Sequence, residues 1–203
     1  MMRKPPPASG PLRSFLATLQ GKWADDRAAQ IVEFAVSMPL LVVFVVGIFD
    51  FSQALSVKQK LTNAARDAAR VAAADPANDL GSSVGVVPAS VSDANQVVSN
   101  YLLSENLNDC GLATTTPIQS GGSLTWVATA AANGCPAPGL VLQINRGFPS
   151  KLVTNSGPVY LICTQITLSY AYNWRFNGVI GLLGGSKIGA NSLTAIATAF
   201  NEN

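Results

Sequence analysis

From Ile31 to Phe49 nearly every position is apolar, and only Glu33, Ser37 and Pro39 interrupt the run. Wound as a helix it reaches roughly 28 Å at about 1.5 Å per residue, close to the ~30 Å hydrocarbon thickness of a bilayer. It reads as one membrane-spanning helix. Pro39 cannot bond the carbonyl of Ala35, so it kinks or loosens the helix about two turns in, which membrane helices tolerate. The helical period then continues past the run. Val57, Leu61, Ala64, Ala68 and Val71 form one apolar stripe, with Lys60, Asn63, Asp67 and Arg70 as a polar stripe beside it. Because the apolar stripe is largely alanine, whatever packs on it comes close. Asp75-Pro76 ends the pattern, since a residue before proline is biased away from the α region. The expectation is one helix of about 45 residues, half in lipid and half lying on a domain.

Further along, Asp93 and Gln96 have capping-box spacing ahead of Val97, Val98, Tyr101 and Leu102, which predicts one extra short helix to about Leu107. The period then changes from helical to alternating. Leu124–Thr129, Leu140–Ile144, Val159–Tyr172 and Leu193–Phe200 read as strands separated by Gly/Pro/Asn clusters. Ile166, Leu168, Tyr170 and Tyr172 alternate with Thr167, Ser169 and Ala171, the pattern of a half-buried strand with one wet face. Helices first and strands after predict an α+β fold, with a small antiparallel sheet laid on the alanine-rich helix stripe. The resulting organisation is a leader at 1–28, a transmembrane half-helix at 29–50, an amphipathic half-helix at 51–75 and an α+β domain at 76–203.

Charge orients this arrangement. Arg3, Lys4, Arg13, Lys22 and Arg27 outnumber Asp25 and Asp26 ahead of the apolar run, while acids slightly outnumber bases after it. By the positive-inside rule the tail stays cytoplasmic and the rest crosses to the periplasm. The near-neutral outer part has no basic patch, which argues against nucleic-acid binding. Histidine is absent. That removes Ser-His-Asp and Cys-His catalysis and every His-containing zinc site. Of the three cysteines, Cys110 and Cys135 sit in loop-like sequence (NDCGL, NGCPAPG) and Cys163 in an apolar run. In an oxidising compartment Cys110–Cys135 is the expected pair, with Cys163 a buried thiol.

Four features coincide: the basic leader, AAQIVEF, the kinked apolar run ending GIFDF, and NAARDAAR. Together they resemble the TadE-like minor pseudopilins of tight-adherence (Flp-type, type IVb-like) pilus systems. ITLSYAY, GVIGLLGG and SLTAIATAF resemble the family's alternating strand, Leu/Gly-Gly turn and final small-residue strand. The resemblance implies a pilin-like subunit of the inner membrane, single-pass, that is later placed on the pilus for surface attachment. It implies as partners membrane lipid, a major pilin, other minor pseudopilins, a prepilin peptidase and the pilus assembly platform, and it implies no cofactor. In the prepilin family the peptidase cuts four residues before a glutamate, which maps the cut between Ala28 and Ala29. Glu33 and Phe34 then carry the assembly register, Pro39 is the helix kink, and Asp50 marks the membrane exit. Prepilins usually carry glycine before the cut, where this chain has Ala28.

Other chemistry is weaker. Gly184-Gly185 lacks the preceding strand and ordered lysine of a phosphate loop and reads as a turn. Asp75, Asp79, Asp93 and Asp109 are too scattered for a calcium loop. Tyr170, Tyr172, Trp174 and Phe176 form an aromatic cluster, read as sheet packing with a subunit contact as the lesser alternative. No nucleophile motif or paired-carboxylate motif is present, so an enzyme is not expected. Two alternatives to the pilus reading stay open: an uncleaved, membrane-anchored periplasmic binding or scaffold protein, and a soluble exported protein cut after Ser52-Gln53-Ala54.

Overall fold

The computed structural model describes residues 26–78, 80–81, 86–120, 124–132, 134–154, 157–182, 184, 186 and 191–202. The expectations placed on residues 1–25, Asp79 and Gly185 lie outside them. The first element is α1, Asp26–Ala74, an unbroken helix that runs through Pro39 and stops immediately before Asp75-Pro76. The chain divides between Ile48 and Phe49 into two units. In the first, the large apolar side chains of α1 are exposed all round, Ile31, Phe34, Leu40 and Phe44 among them. A helix apolar on every side with no protein covering it is suited to lipid.

The second unit is α+β. Here α1 buries Leu61, Ala64, Ala65, Ala68, Ala69 and Ala72 completely or nearly so. The stripe read from the sequence is thus real but one residue wider, and its outlying members Val57 and Val71 are only half-buried. Helix α2 spans Ala89–Ser104 and adds Val91, Ala94, Val98 and Leu102 to the same core. Its start corrects the capping-box expectation. Pro88 is the N-cap, no side chain caps the helix, and Asp93 and Gln96 are exposed within it. The ring of Pro88 presets the first turn, and its carbonyl accepts from the Val91 and Ser92 amides. The helix also ends before Leu107, in a Schellman turn: Asn106 takes a left-handed φ of 56° while the Leu107 amide bonds the Leu102 carbonyl.

A 3₁₀ turn at Leu112–Thr114 leads to five strands. These are β1 Ile118–Gln119, β2 Thr125–Ala130, β3 Leu140–Thr154, β4 Gly157–Ala171 and, after helix α3 (Phe176–Leu182), β5 Ser192–Phe200. They form an antiparallel meander in sequence order. Its inner face, carrying Trp126, Leu142, Ile144, Ile166, Leu168 and Ala195, shares one core with α1 and α2. Alternation along β4 holds from Ile166 to Tyr170 and then breaks, because Ala171 is buried and Tyr172 has left the sheet.

Two segments differ from expectation. Strands β3 and β4 are each 15 residues long and form one hairpin. The Gly147-Phe148-Pro149 stretch, which reads as a strand end, is passed by a bulge between Asn145 and Phe148. Gly147 lies against Leu124 there, and a Cβ would come within 2.9 Å of Leu124 Cδ1, so a larger residue would make that side chain shift. The apolar stretch at 176–182, read as part of a turn, is helix α3, whose N-terminal cap comes from a distant residue described below.

Cys110 and Cys135 are joined by a disulfide with Cα atoms 5.5 Å apart, and Cys163 is a buried free thiol. The bridge closes a loop over a sequence separation of 25. Loop closure of that length is worth about 3–4 kcal/mol by chain entropy. Unfolding of the full chain in detergent, followed with and without reductant, is expected to show a loss of that order, and a Cys110→Ser/Cys135→Ser double variant should become insensitive to reductant. Just before the bridge, Asp109 holds the 3₁₀ turn by accepting from the Gly111 and Ala113 amides and from Ser99 Oγ at 2.7 Å. Burial opposes its charge, but those hydrogen bonds together win and hold its carboxyl below the usual value.

Candidate functional site

The first unit carries the residues that the sequence points to for assembly. The Ala28–Ala29 bond lies in the first turn of α1, and Ala29 and Glu33 are one turn apart, both exposed. Spacing of i to i+4 puts them on one helix face, about 6 Å apart along the axis. Phe34 is 64 % exposed beside Glu33. Ser37 Oγ donates to the Phe34 carbonyl at 3.3 Å, a local bond that satisfies a hydroxyl in an apolar setting. Chemically the segment offers an exposed carboxylate, an exposed aromatic ring and a short side chain at a helix start.

In the second unit two polar nodes bracket α1. The first is Asp50, only 3 % exposed. Its Oδ2 accepts from the Phe176 amide at 2.9 Å and its Oδ1 from the Tyr172 hydroxyl at 3.1 Å. Asp50 thus caps α3 from α1, and the carboxylate is well placed against the positive end of that short helix. Tyr172 stacks edge-on against Trp174, ring centroids 5.1 Å apart. Of the aromatic cluster, Tyr170 belongs to the core, while Tyr172, Trp174 and Phe176 are half-buried around Asp50.

Burial, and then the bond to Asp50, push the Tyr172 hydroxyl up to about 12. A group whose folded value lies above its unfolded one, about 10 for tyrosine, contributes stability that is whole below pH 10. That contribution is expected to fall away between pH 10 and about 12. Alkaline denaturation of the wild type and of Tyr172→Phe checks this: the variant should lose less stability in that window, what remains coming from Tyr170, whose hydroxyl burial also raises.

The second node, about 38 Å along the helix axis from the first, is Arg146. This guanidinium is 1 % exposed. Its Nη1 donates to Thr164 Oγ1 at 3.0 Å and its Nη2 to the Asp75 carbonyl at 2.9 Å. Thr164 in turn donates to Asn201 Oδ1 at 2.6 Å, and Asn201 Nδ2 donates to the Arg146 carbonyl at 3.3 Å. The end of α1, the long hairpin and the segment after β5 are tied together at one point. Sequence reading missed Arg146. The available signal was a lone cation inside the apolar strand LVLQINRGF, where a charge is kept only if it is paired.

Ala28, Ala29, Glu33, Phe34 and Pro39 therefore share one unit, whereas Asp50, Cys110 and Cys135 belong to the other. Among the described residues no three His, Cys, Asp or Glu side chains gather into a metal-binding group. The apolar helix is long enough for a single-pass membrane anchor. In comparisons with known proteins, no curated protein and no solved structure matches the chain. Residues 28–70 match the model of the TadE-like protein family. That stretch of α1, which holds Glu33, Pro39 and Asp50, is similar to the TadE-like proteins of tight-adherence pilus systems.

Proposed function

We propose that this chain is a minor pseudopilin, a structural subunit that primes, caps or sparsely decorates a tight-adherence pilus. The observation that carries the reading is Glu33, four residues after Ala29 on an uncovered apolar helix that continues into the core helix of the second unit. The basic tail orients the N-terminus to the cytoplasm and the second unit to the periplasm. A prepilin peptidase cuts between Ala28 and Ala29 and creates an α-ammonium with a pKa of about 7.7–8.0. Glu33 of a neighbouring subunit offsets that charge where water is scarce. At an effective dielectric of about 20, unit charges 4 Å apart attract by about 4 kcal/mol before desolvation. The pair therefore acts mainly on register as the subunit enters the fibre among major and minor pilins on the assembly platform. The role is structural, and Pro39 eases the helix out of lipid.

Glu33→Ala tests the reading. It is expected to leave membrane insertion intact and to remove the protein from sheared pili, read by immunoblot of shear and membrane fractions. Unchanged incorporation would refute the assembly role. A second reading, the uncleaved anchored scaffold, is favoured by Ala28 at the position where prepilins carry glycine.

A further inference from the structure

Helix α1 and strand β5 run side by side through the second unit. At one end Asp50 accepts from Tyr172, whose amide donates to the Asn191 carbonyl just before β5. At the other end the Glu202 amide donates to the Ala73 carbonyl. Strand β5 is an edge: it pairs with β4 on one side, and no described strand pairs with its other side. That outer edge is nine residues long and contains neither proline nor a charged residue. Beside it, α1 carries Lys58, Thr62, Arg66 and Arg70 at steps of four, which makes one row along the helix. A hollow of about 460 Å³ is lined by Arg66 and Arg70 from α1 and by residues 196–199 of β5. A second, of about 370 Å³, shares Arg66 and continues along the row through Thr62 to Lys58. The cations of α1 divide by face. Lys60 turns to the end of α2, where Glu105 holds it at 3.4 Å. Arg66 and Arg70 are exposed toward β5, and Arg70 lies 3.9 Å from Asp67, an open pair of the kind that contributes little.

Spacing and charge select what fits this hollow. Each step of four along a helix advances about 6 Å. Each second residue of a strand advances about 6.6 Å. A strand added to β5 therefore sets every second side chain opposite successive members of the row. Carboxylates two residues apart meet Arg66 and Arg70 together, and a third, four residues beyond the one at Arg66, meets Lys58. The uncharged edge supplies the backbone ladder, and the row supplies the charge. This chain carries no such segment, since no two of its 11 acids stand two residues apart. Nor does a lipid headgroup suit the site. Arg70 lies about 30 Å along α1 from Asp50, which directly follows the apolar run.

We propose that the outer edge of β5, flanked by Arg66 and Arg70, takes an extended acidic segment of a different protein as an added strand. Carboxylates two residues apart in that segment lie on the two arginines. The proposal holds whether or not the chain is cleaved at its N-terminus.

The probe is a capped peptide, Glu-Val-Thr-Val-Glu-Val-Glu, titrated onto the full chain in detergent micelles. Anisotropy of the labelled peptide is expected to show saturable binding that weakens as salt rises. Hydrogen exchange at residues 194–199 should slow on binding, as pairing of the β5 edge requires. Arg66→Gln/Arg70→Gln, two changes at exposed positions, should weaken binding about tenfold while the Cys110–Cys135 bridge still forms. Glu-Val-Val-Glu-Val-Thr-Glu has the same composition with its carboxylates three apart, and should bind clearly less well. In native membranes a photoreactive side chain at Thr198 is expected to give an adduct with another protein that the first peptide displaces. Absence of saturable binding, equal binding of the two peptides, unchanged exchange at 194–199, or indifference to the arginine changes would overturn the proposal. An adduct with a second copy of this chain or with lipid would do the same.

Discussion

Arg146→Ala is expected to destabilise the second unit by about 3–6 kcal/mol, taking two hydrogen bonds to a charged group at about 1.5–3 kcal/mol each. The cost is large because the partners are left behind in the interior. Thr164 is fully buried and would keep only its bond to Asn201, while the Asp75 carbonyl at the end of α1 would lose its donor. Arg146→Lys should recover little. A single ammonium cannot span both Thr164 Oγ1 and the Asp75 carbonyl in the fork geometry that the guanidinium supplies. Urea unfolding of the full chain in detergent, followed through the buried Trp126, measures both variants. A shift of less than about 1 kcal/mol for Arg146→Ala, the scale of an ordinary neutral hydrogen bond, would contradict this account of the node.

Asp50→Ala has the second largest expected effect, about 3 kcal/mol, because it strips an acceptor from a backbone amide and a hydroxyl together. The loss should be local. Helix α3 has seven residues, too few to persist without its cap and packing. Hydrogen exchange at residues 176–182 should rise sharply while the core strand amides near Leu142 and Leu168 stay protected. In the same variant the Tyr172 hydroxyl should ionise closer to pH 10, since its bond to Asp50 has gone. Asp50→Asn keeps one acceptor oxygen and should fall between the two. Exchange at 176–182 unchanged in Asp50→Ala would mean that α3 stands by other contacts.

Features with a local cause were legible in the sequence. The apolar run and the alanine stripe predict α1 because each repeats at the helical period, and Asp75-Pro76 ends it by backbone sterics. The alternation at Ile166–Tyr170 predicts β4 because a pleated strand with one buried face demands it. What stayed hidden depends on partners far along the chain. Helix α3 is capped from Asp50, and its own sequence, rich in glycine, shows no cap. The unity of the hairpin rests on a bulge at Gly147 pressed against Leu124, which in isolation reads as a break. Arg146 gains its meaning only when Thr164, Asn201 and the end of α1 converge on it. At α2 a sound local signal, Asp93 with Gln96, was overtaken by an earlier one, Pro88. In the N-terminal segment Glu33 stands out in the sequence because a carboxylate in an apolar run is costly, while its role in assembly is what the family resemblance implies.

The pseudopilin reading is tested most directly by the N-terminal residue of the protein isolated from its native membrane or shear fraction. Ala29 is the residue it predicts, since a cut after Ala28 creates the α-ammonium that Glu33 is placed to meet. Met1 would contradict it and leave an uncleaved anchor, and Leu55 would equally contradict it by making the second unit a secreted domain.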